Sequence, residues 1–426
     1  MSNAEKMAID ERRKYLRLVK PRYRAAGRKK KGQLLDEMEA VTGLNRKTLT
    51  RLMNGSLERK PRSREREKTY GPAVDDALRI IDESFDGICA ERLTPNLVKM
   101  ARHLDAHGEL EATPDLLAQL AQVSISTVER RLTLIRQDQP RLPRQKPRPR
   151  NKLLQDIPML RLPWNTAEPG HFETDLVHHC GPTASGEYLC TLQMIDVATG
   201  WSERRTVLGR SFLVMKDAFL CILHRLPFPV RQIHPDNGSE FFNHHMLRFW
   251  GDVVRGVTIS RSRPYHKNDN PRVEQKNSTL VRAYLGYERL DSVAQVLALN
   301  ALYDRMWVYY NFFQPVMHLT EKEVIQQEGQ PTRVKRRHDE ARTPFDRLCD
   351  TDAILPEHQQ QLEALYNATN PRRLRQEIYD AIEQLFALPG AVSGVTENVY
   401  LTLAKNCQKE DDYLPNLVFD RTPIRK

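Results

Sequence analysis

The sequence predicts a multidomain protein. It expects an α/β unit, built on a mixed five-stranded sheet with flanking helices, preceded by all-α helix-turn-helix domains. Three observations predict this. A chain of 426 residues is long enough for about two to four domains. Its apolar period is helical up to about residue 138 and turns strand-like from 171. Between the two lies QPRLPRQKPRPR (139–150), with five basic residues, four prolines and no acid, a composition that forbids helix and favours an extended chain. The expected divisions are 1–70 and 71–138 for the helical domains, 139–164 for the linker, 165–325 for the α/β unit and 326–426 for a mostly helical C-terminal region.

Charge separates these parts. Residues 1–70 hold 21 Lys/Arg against 9 Asp/Glu, an excess of +12, while the whole chain carries +11. The body is therefore near neutral and the head strongly basic. Such a head suits a polyanion, with a solubilising tail as the plain alternative. No run of 18 apolar residues occurs and MSNAEKMAIDERRKY is no apolar leader, so a cytoplasmic protein is expected. The six cysteines are scattered without a CxxC, against a disulfide framework or a zinc module.

In KGQLLDEMEAVTGLNRKTLTRLMNG (31–55), Leu34, Leu35 and Met38 mark a helix and Gly43 a turn. Asn45 is a good N-cap for a short second helix, and Gly55 stops it. That helix puts Leu49, Leu52 and Met53 on one face and Arg46, Lys47, Thr50 and Arg51 on the other. This is a helix-turn-helix pattern, and the four polar residues are its expected DNA contacts. The pattern recurs. TPNLVKMARHLDAHG (94–108) reads as a helix capped by Thr94 with Pro95 first. TPDLLAQLAQVSISTVERRLTLIRQ (113–137) repeats that opening at Thr113-Pro114, and Ser124 caps a further helix with Arg130 and Arg131 outward. The two units are expected to read one extended DNA site, and a chain lacking 1–138 to lose it without losing the body.

From 171 the elements are three strands (HFETDLVHH, EYLCTLQMIDVATG, WSERRTVLG), a helix over 211–226, a strand VRQIHPD, a helix over 240–252, a strand VTISRS, and a helix from 272. Three meandering strands followed by alternation give a mixed sheet. Three acids stand out: Asp175 in the first strand, Asp236 ending the fourth, and Glu274 in the first turn of the last helix. Each alone fits a plain role: a solvent-facing residue, a turn cap, an acid favoured by the helix dipole. They lie 61 and 38 positions apart, so only a fold can gather them. His178, His179 and Cys180 are adjacent in a strand and so point to opposite faces, which makes them structural or substrate-lining. His234 beside Asp236 is a weak signal. Arg263, Lys267, Arg272 and Lys276 surround Glu274 and suit either a phosphate-contacting rim or a solvated helix face.

TDLVHH, HPDNGSEF and RPYHKNDNPRVEQKNSTLVR together resemble the three blocks of the integrase catalytic core, shared by retroviral integrases and bacterial insertion-sequence transposases. The resemblance covers about 171–286 and implies an RNase H-like fold with a DDE triad. Asp175, Asp236 and Glu274 match that triad in order, with 37 residues between the last two. Asn270 and Asn277 match further motif positions. The implied cofactor is a pair of Mg²⁺ ions, with Mn²⁺ as a substitute, held open to substrate by the three carboxylates. The implied activity is a DDE transposase that binds transposon ends, nicks their 3′ strands and joins them to target DNA. Its partners would be double-stranded DNA and a second copy of the chain. Lys267, Arg272 and Asn277 become expected DNA contacts beside the acids. A catalytically inactive DNA-binding regulator and an RNase H-like nuclease without strand transfer remain the other readings.

After the core, Trp307, Tyr310 and Phe313 read as core packing. PTRVKRRHDEARTP (331–344) reads as a basic, turn-rich linker. Two helices broken at Asn370-Pro371 follow, and the last 38 residues carry no legible pattern.

Overall fold

The computed structural model describes residues 7–58, 70–136, 168–235, 241, 244–260, 271–325, 333–405 and 417–424. Asp236, Arg263, Lys267, Asn270 and the Pro/Arg-rich linker lie outside these residues. Contacts divide the chain into two compact units, Met1–Thr69 and Tyr70–Lys426.

The first unit is three helices: α1 (Ile9–Ala25), α2 (Arg28–Thr42) and α3 (Arg46–Asn54). Leu16, Val19, Tyr23, Leu34, Leu35, Met38, Leu49, Met53 and Leu57 form its apolar core. The α2–α3 turn forms as the residues predict. Gly43 takes φ +67° to end α2, a conformation that costs a glycine little. Asn45 then caps α3 by accepting from the Thr48 amide at 2.9 Å.

The second unit contains the sheet. Its strands are β1 (His171–His178), β2 (Leu189–Asp196), β3 (Ser202–Leu208), β4 (Gln232–Pro235) and β5 (Thr258–Ile259). Their order is β3-β2-β1-β4-β5. The first three pair antiparallel, and β4 and β5 run parallel to β1 and to each other. This is the mixed, RNase H-like sheet that the sequence predicts. The β2–β3 turn uses Gly200 at φ +76°, and a Cβ there would stand 3.2 Å from Val316. Helix α9 (Phe212–Arg225) covers one face, where Arg225 meets Glu203. On the other lie α11 (Pro271–Lys276) and α13 (Val293–Val308). With both faces covered, the strands are buried nearly throughout, so their polar residues are buried too.

The helices after residue 70 share this core. These are α4 (Pro72–Ser84), α5 (Ala90–Leu93), α6 (Leu97–Ala106), α7 (Pro114–Gln122) and α8 (Ile125–Ile135). Val74, Leu78, Phe85, Leu97 and Leu104 belong to one apolar cluster with Phe172, Trp201 and Trp307. Polar contacts reinforce it. Tyr309 donates to the Ser84 carbonyl at 2.6 Å, Gln314 to the Phe85 carbonyl at 2.9 Å, and Arg92 to the Pro315 carbonyl at 2.7 Å. Asp86 accepts from Tyr284, Arg375 and Tyr379.

Three expectations change here. Thr94 does not cap a helix. The chain is already helical from Ala90, Thr94 keeps helical angles, and its hydroxyl donates back to the Ala90 carbonyl. Pro95 sits in a 3-10 turn, Thr94–Asn96, that needs no α-type donor there. The basic stretch after the core is not a linker. Residues Leu319–Ile325 (β6) and Arg333–His338 (β7) pair antiparallel, supported by the Glu321–Arg337 and Glu323–Lys335 pairs at 3.3 and 4.0 Å. The illegible C-terminus returns to the sheet: Thr422 accepts from the Val230 amide, and Ile424 bridges to Val254. Between these come α14 (Pro344–Cys349), α15 (Pro356–Ala368) and α16 (Pro371–Ala387), the last two broken at Asn370-Pro371 as predicted. None of the described cysteines forms a disulfide, and no described helix is long and apolar enough to cross a membrane.

His179 is 1% exposed, bonded to Thr191 Oγ1 at 2.9 Å, and burial pushes its pKa down to about 3. Burial likewise takes His318 down to about 4. Both rings fold neutral, while the unfolded chain protonates near 6.5. Stability is therefore full above about pH 6.5 and falls as pH drops below it, by up to about 1.4 kcal/mol per unit for each ring. Urea midpoints at pH 7 and pH 5 should show this, and His179→Gln should flatten the slope. An unaltered slope in that variant would reject His179 as a source.

Candidate active site

Asp175 lies mid-way along β1, opposite Gln193 of β2. It is half-buried, so its carboxylate is reachable. On its other side β4 ends at Pro235, which pairs with Thr174. Asp236 is next in sequence and lies outside the described residues.

Glu274 is carried by α11, and two contacts seat that helix on β1. The first is through Glu173, two residues from Asp175 on the same face. Glu173 is 1% exposed and accepts from the backbone amides of Arg272 and Val273 at 2.7 and 2.9 Å. The Arg272 guanidinium lies 3.3 Å away. A buried carboxylate thus satisfies two orphan donors in the first turn of the helix. Burial raises the Glu173 pKa, and Arg272 together with the two amides opposes that rise. The second contact is Asn277 Nδ2, which donates to Asp175 Oδ2 at 2.5 Å. At Asn277 the helix widens into a π-type turn, Asn277–Arg282, before α12 (Ala283–Leu285). Such widenings often mark functional positions. Asp175 and the helix of Glu274 are therefore joined directly, across 102 residues of chain.

Glu173→Ala should leave the two amides of α11 unpaired in a buried site. The expected cost is about 1–3 kcal/mol, read as a lowered urea midpoint. No change in the midpoint would mean that α11 is held by other contacts.

The remaining expected site residues divide. Lys47 and Arg51 are exposed on α3. Arg46 is exposed but pairs with Asp36 and donates to the Gly32 carbonyl, and Thr50 donates to the Arg46 carbonyl. Arg130 is exposed. Arg131 pairs with Asp75, donates to the Tyr70 carbonyl and stacks on the Tyr70 ring, so it holds α8 to the start of the unit. Arg272 and Asn277 are engaged with Glu173 and Asp175. Among the described residues no three His, Cys, Asp or Glu side chains converge as a metal cluster. Asp175 and Glu274 supply two carboxylates of the kind Mg²⁺ takes, and the third lies beyond the described residues. Glu173 was missed by the sequence reading, although its place two residues before Asp175 set it on the same face.

No known family profile matches the chain. It is 34% identical, over 320 residues, to the uncharacterized protein y4rM of Sinorhizobium fredii, covering 75% of this chain and 91% of that one. The chain belongs to the family of that rhizobial protein. Among solved structures it is similar to the catalytic core domain of BIV integrase, at 18% identity over 34% of this chain and 86% of that chain, with a TM-score of 0.24. It is also similar to the simian T-cell lymphotropic virus intasome in complex with PP2A regulatory subunit B56 gamma. That match is 14% identical over 52% of this chain and 70% of the other, with a TM-score of 0.27.

Proposed function

We propose that the chain is a DDE transposase that binds transposon ends, nicks their 3′ strands and joins the freed 3′-OH groups to target DNA. The Asn277–Asp175 hydrogen bond carries this reading, because it ties the acid of the first strand to the helix bearing Glu274. β4, in register with β1, ends at Pro235, the residue before Asp236 in sequence. Asp175, Asp236 and Glu274 would hold two Mg²⁺ ions, with Mn²⁺ as a substitute. Such ions offset the charge on the entering and leaving oxygens of phosphodiester transfer. The chain's own part is to fix the carboxylates: Asn277 orients Asp175, and Glu173 anchors the turn that holds Glu274. Lys267 and Arg272 would lie along the DNA beside the acids. Arg46, Lys47, Thr50 and Arg51, with Arg130 in the second helical segment, would contact the ends. Two ends need two active sites, so the working form would be a dimer or larger assembly on DNA, in the cytoplasm.

The direct test incubates the chain with its own flanking terminal repeats, a target plasmid and Mg²⁺, and maps joined products. Nicking without joining would favour the nuclease reading, and binding with neither would favour the regulator. End binding has its own check. Lys47→Ala with Arg51→Ala should weaken end binding and lower the slope of log K against log salt by about 0.9 for each phosphate no longer neutralised. An unchanged slope would remove α3 from the DNA interface.

A further inference from the structure

Behind Asp175 the fold buries a set of polar side chains that it does not pair. Asp175 lies opposite Gln193, and Gln193 opposite Arg204, so the three share one face of the sheet. Gln193 is 0% exposed and Arg204 is 2% exposed. Among the described residues, neither amide atom of Gln193 and none of the three guanidinium nitrogens of Arg204 has a hydrogen-bond partner. Asn277 Oδ1 is buried and unpartnered in the same way.

Arg204 does not lack neighbours. It lies over the rings of Tyr303 and Tyr310, at 5.6 and 5.4 Å from their centroids. That contact attracts a cation but accepts none of its directed N–H bonds. Glu203, a carboxylate that acts on Arg204, is on the opposite face. It already accepts from Trp201, Trp307 and Arg225. Two further cations approach from the helix side. Lys276 of α11 lies near both Arg204 and Arg92. Burial lowers the pKa of Arg92, whose Nε is committed to the Pro315 carbonyl.

An unpaired buried guanidinium is costly, and gathering further cations beside it raises that cost. Native folds pair such groups with protein, water or a bound ion. The groups here are mainly N–H donors, and a guanidinium fork matches the paired oxygens of an oxyanion. We propose that Arg204, Gln193 and Lys276 form a binding site for one phosphate group. The phosphate could be free inorganic phosphate or one phosphate of bound DNA, and the chemistry of recognition is the same for both. This site does not depend on the reaction proposed above.

The test uses the full chain without divalent metal. Thermal unfolding is followed in sodium phosphate and in sodium chloride of matched ionic strength. A short duplex is then titrated over a range of salt. Free phosphate at about ten times its Kd should raise the melting temperature by about 2–4 °C, and Arg204→Met should abolish that rise. If the site takes a DNA phosphate instead, inorganic phosphate gives no specific rise, and Arg204→Met lowers the salt slope of duplex binding by about 0.9. Methionine fits between two aromatic rings and removes the unpaired charge, so the variant is expected to fold. Lys276→Gln gives the same two readouts at a half-exposed position. A wild-type chain with no phosphate-specific rise, together with unchanged salt slopes in both variants, overturns the proposal and leaves ordered water as the partner of these groups.

Discussion

Asp175→Asn should abolish strand transfer and nicking while leaving the fold and the affinity for transposon ends intact. The substitution keeps the shape of the side chain. An amide oxygen at 175 still accepts from Asn277 Nδ2, which now does so at 2.5 Å, so α11 stays seated on β1. What disappears is the negative charge. A bound metal offsets several kcal/mol of charge in the transition state, and a ligand set without that carboxylate no longer holds it in place. At 1.36 kcal/mol per factor of ten, the loss is about 10³-fold or more. Asp236→Asn should behave alike, because three carboxylates holding the same metal ions would act as a unit, and single losses would not add. The check is a joining assay on pre-cut ends, with end binding and urea unfolding measured on the same preparation. Transfer within tenfold of the unaltered chain would mean that Asp175 is not a member of the reacting set. Lost transfer accompanied by a lowered urea midpoint would point to a structural role for the acid.

The acids that carry this prediction were legible before the fold, and their support was not. Alternation in HFETDLVHH placed Asp175 in a strand, and Pro271 marked the start of the helix with Glu274 in its first turn. A mixed sheet followed from three meandering strands and then alternation. What alternation could not give was burial on both faces. Glu173, Gln193, Glu203 and Arg204 look like the polar sides of half-exposed strands. Once α9 covers one face and α11 and α13 the other, all four are buried. Ser202, Glu203 and Arg204 lie on β3, an edge strand, and are buried all the same. The β6–β7 pair was missed for a related reason. Its two strands carry cross-strand ion pairs, which a sequence shows only as a run of charge. Thr94-Pro95 misled because it has the chemistry of a helix start, and only the preceding Ala90–Leu93 turn shows that the helix has already begun.

The largest departure concerns where the chain can be cut. A chain lacking residues 1–69 should keep its cooperative melting, because the first unit has its own apolar core and the break falls between compact units. A chain lacking 1–138 should not fold, although the linker composition marks that boundary clearly. The cut removes Phe85, Leu93, Leu97, Met100 and Leu104, each 3% exposed or less. They belong to the cluster that also holds Phe312, Phe313 and Phe345. Phe85 and Met100 line one small void with Phe312, Phe313 and Tyr366, so the two sides are in close packing. Each large apolar side chain contributes about 1.5–3 kcal/mol by its burial. Five of them are therefore comparable with the roughly 5–15 kcal/mol that stabilises a whole domain. The cut also strands polar groups. Asp346 is left without Lys99 at 2.6 Å, the Thr369 carbonyl without His103 at 2.8 Å, and Arg372 without both Glu83 and Glu109. Expressed alone, 139–426 should be insoluble or bind ANS with no sharp thermal transition, whereas 70–426 should melt in one step. A cooperative transition in 139–426 would show that the helices of 72–135 decorate the core and do not complete it.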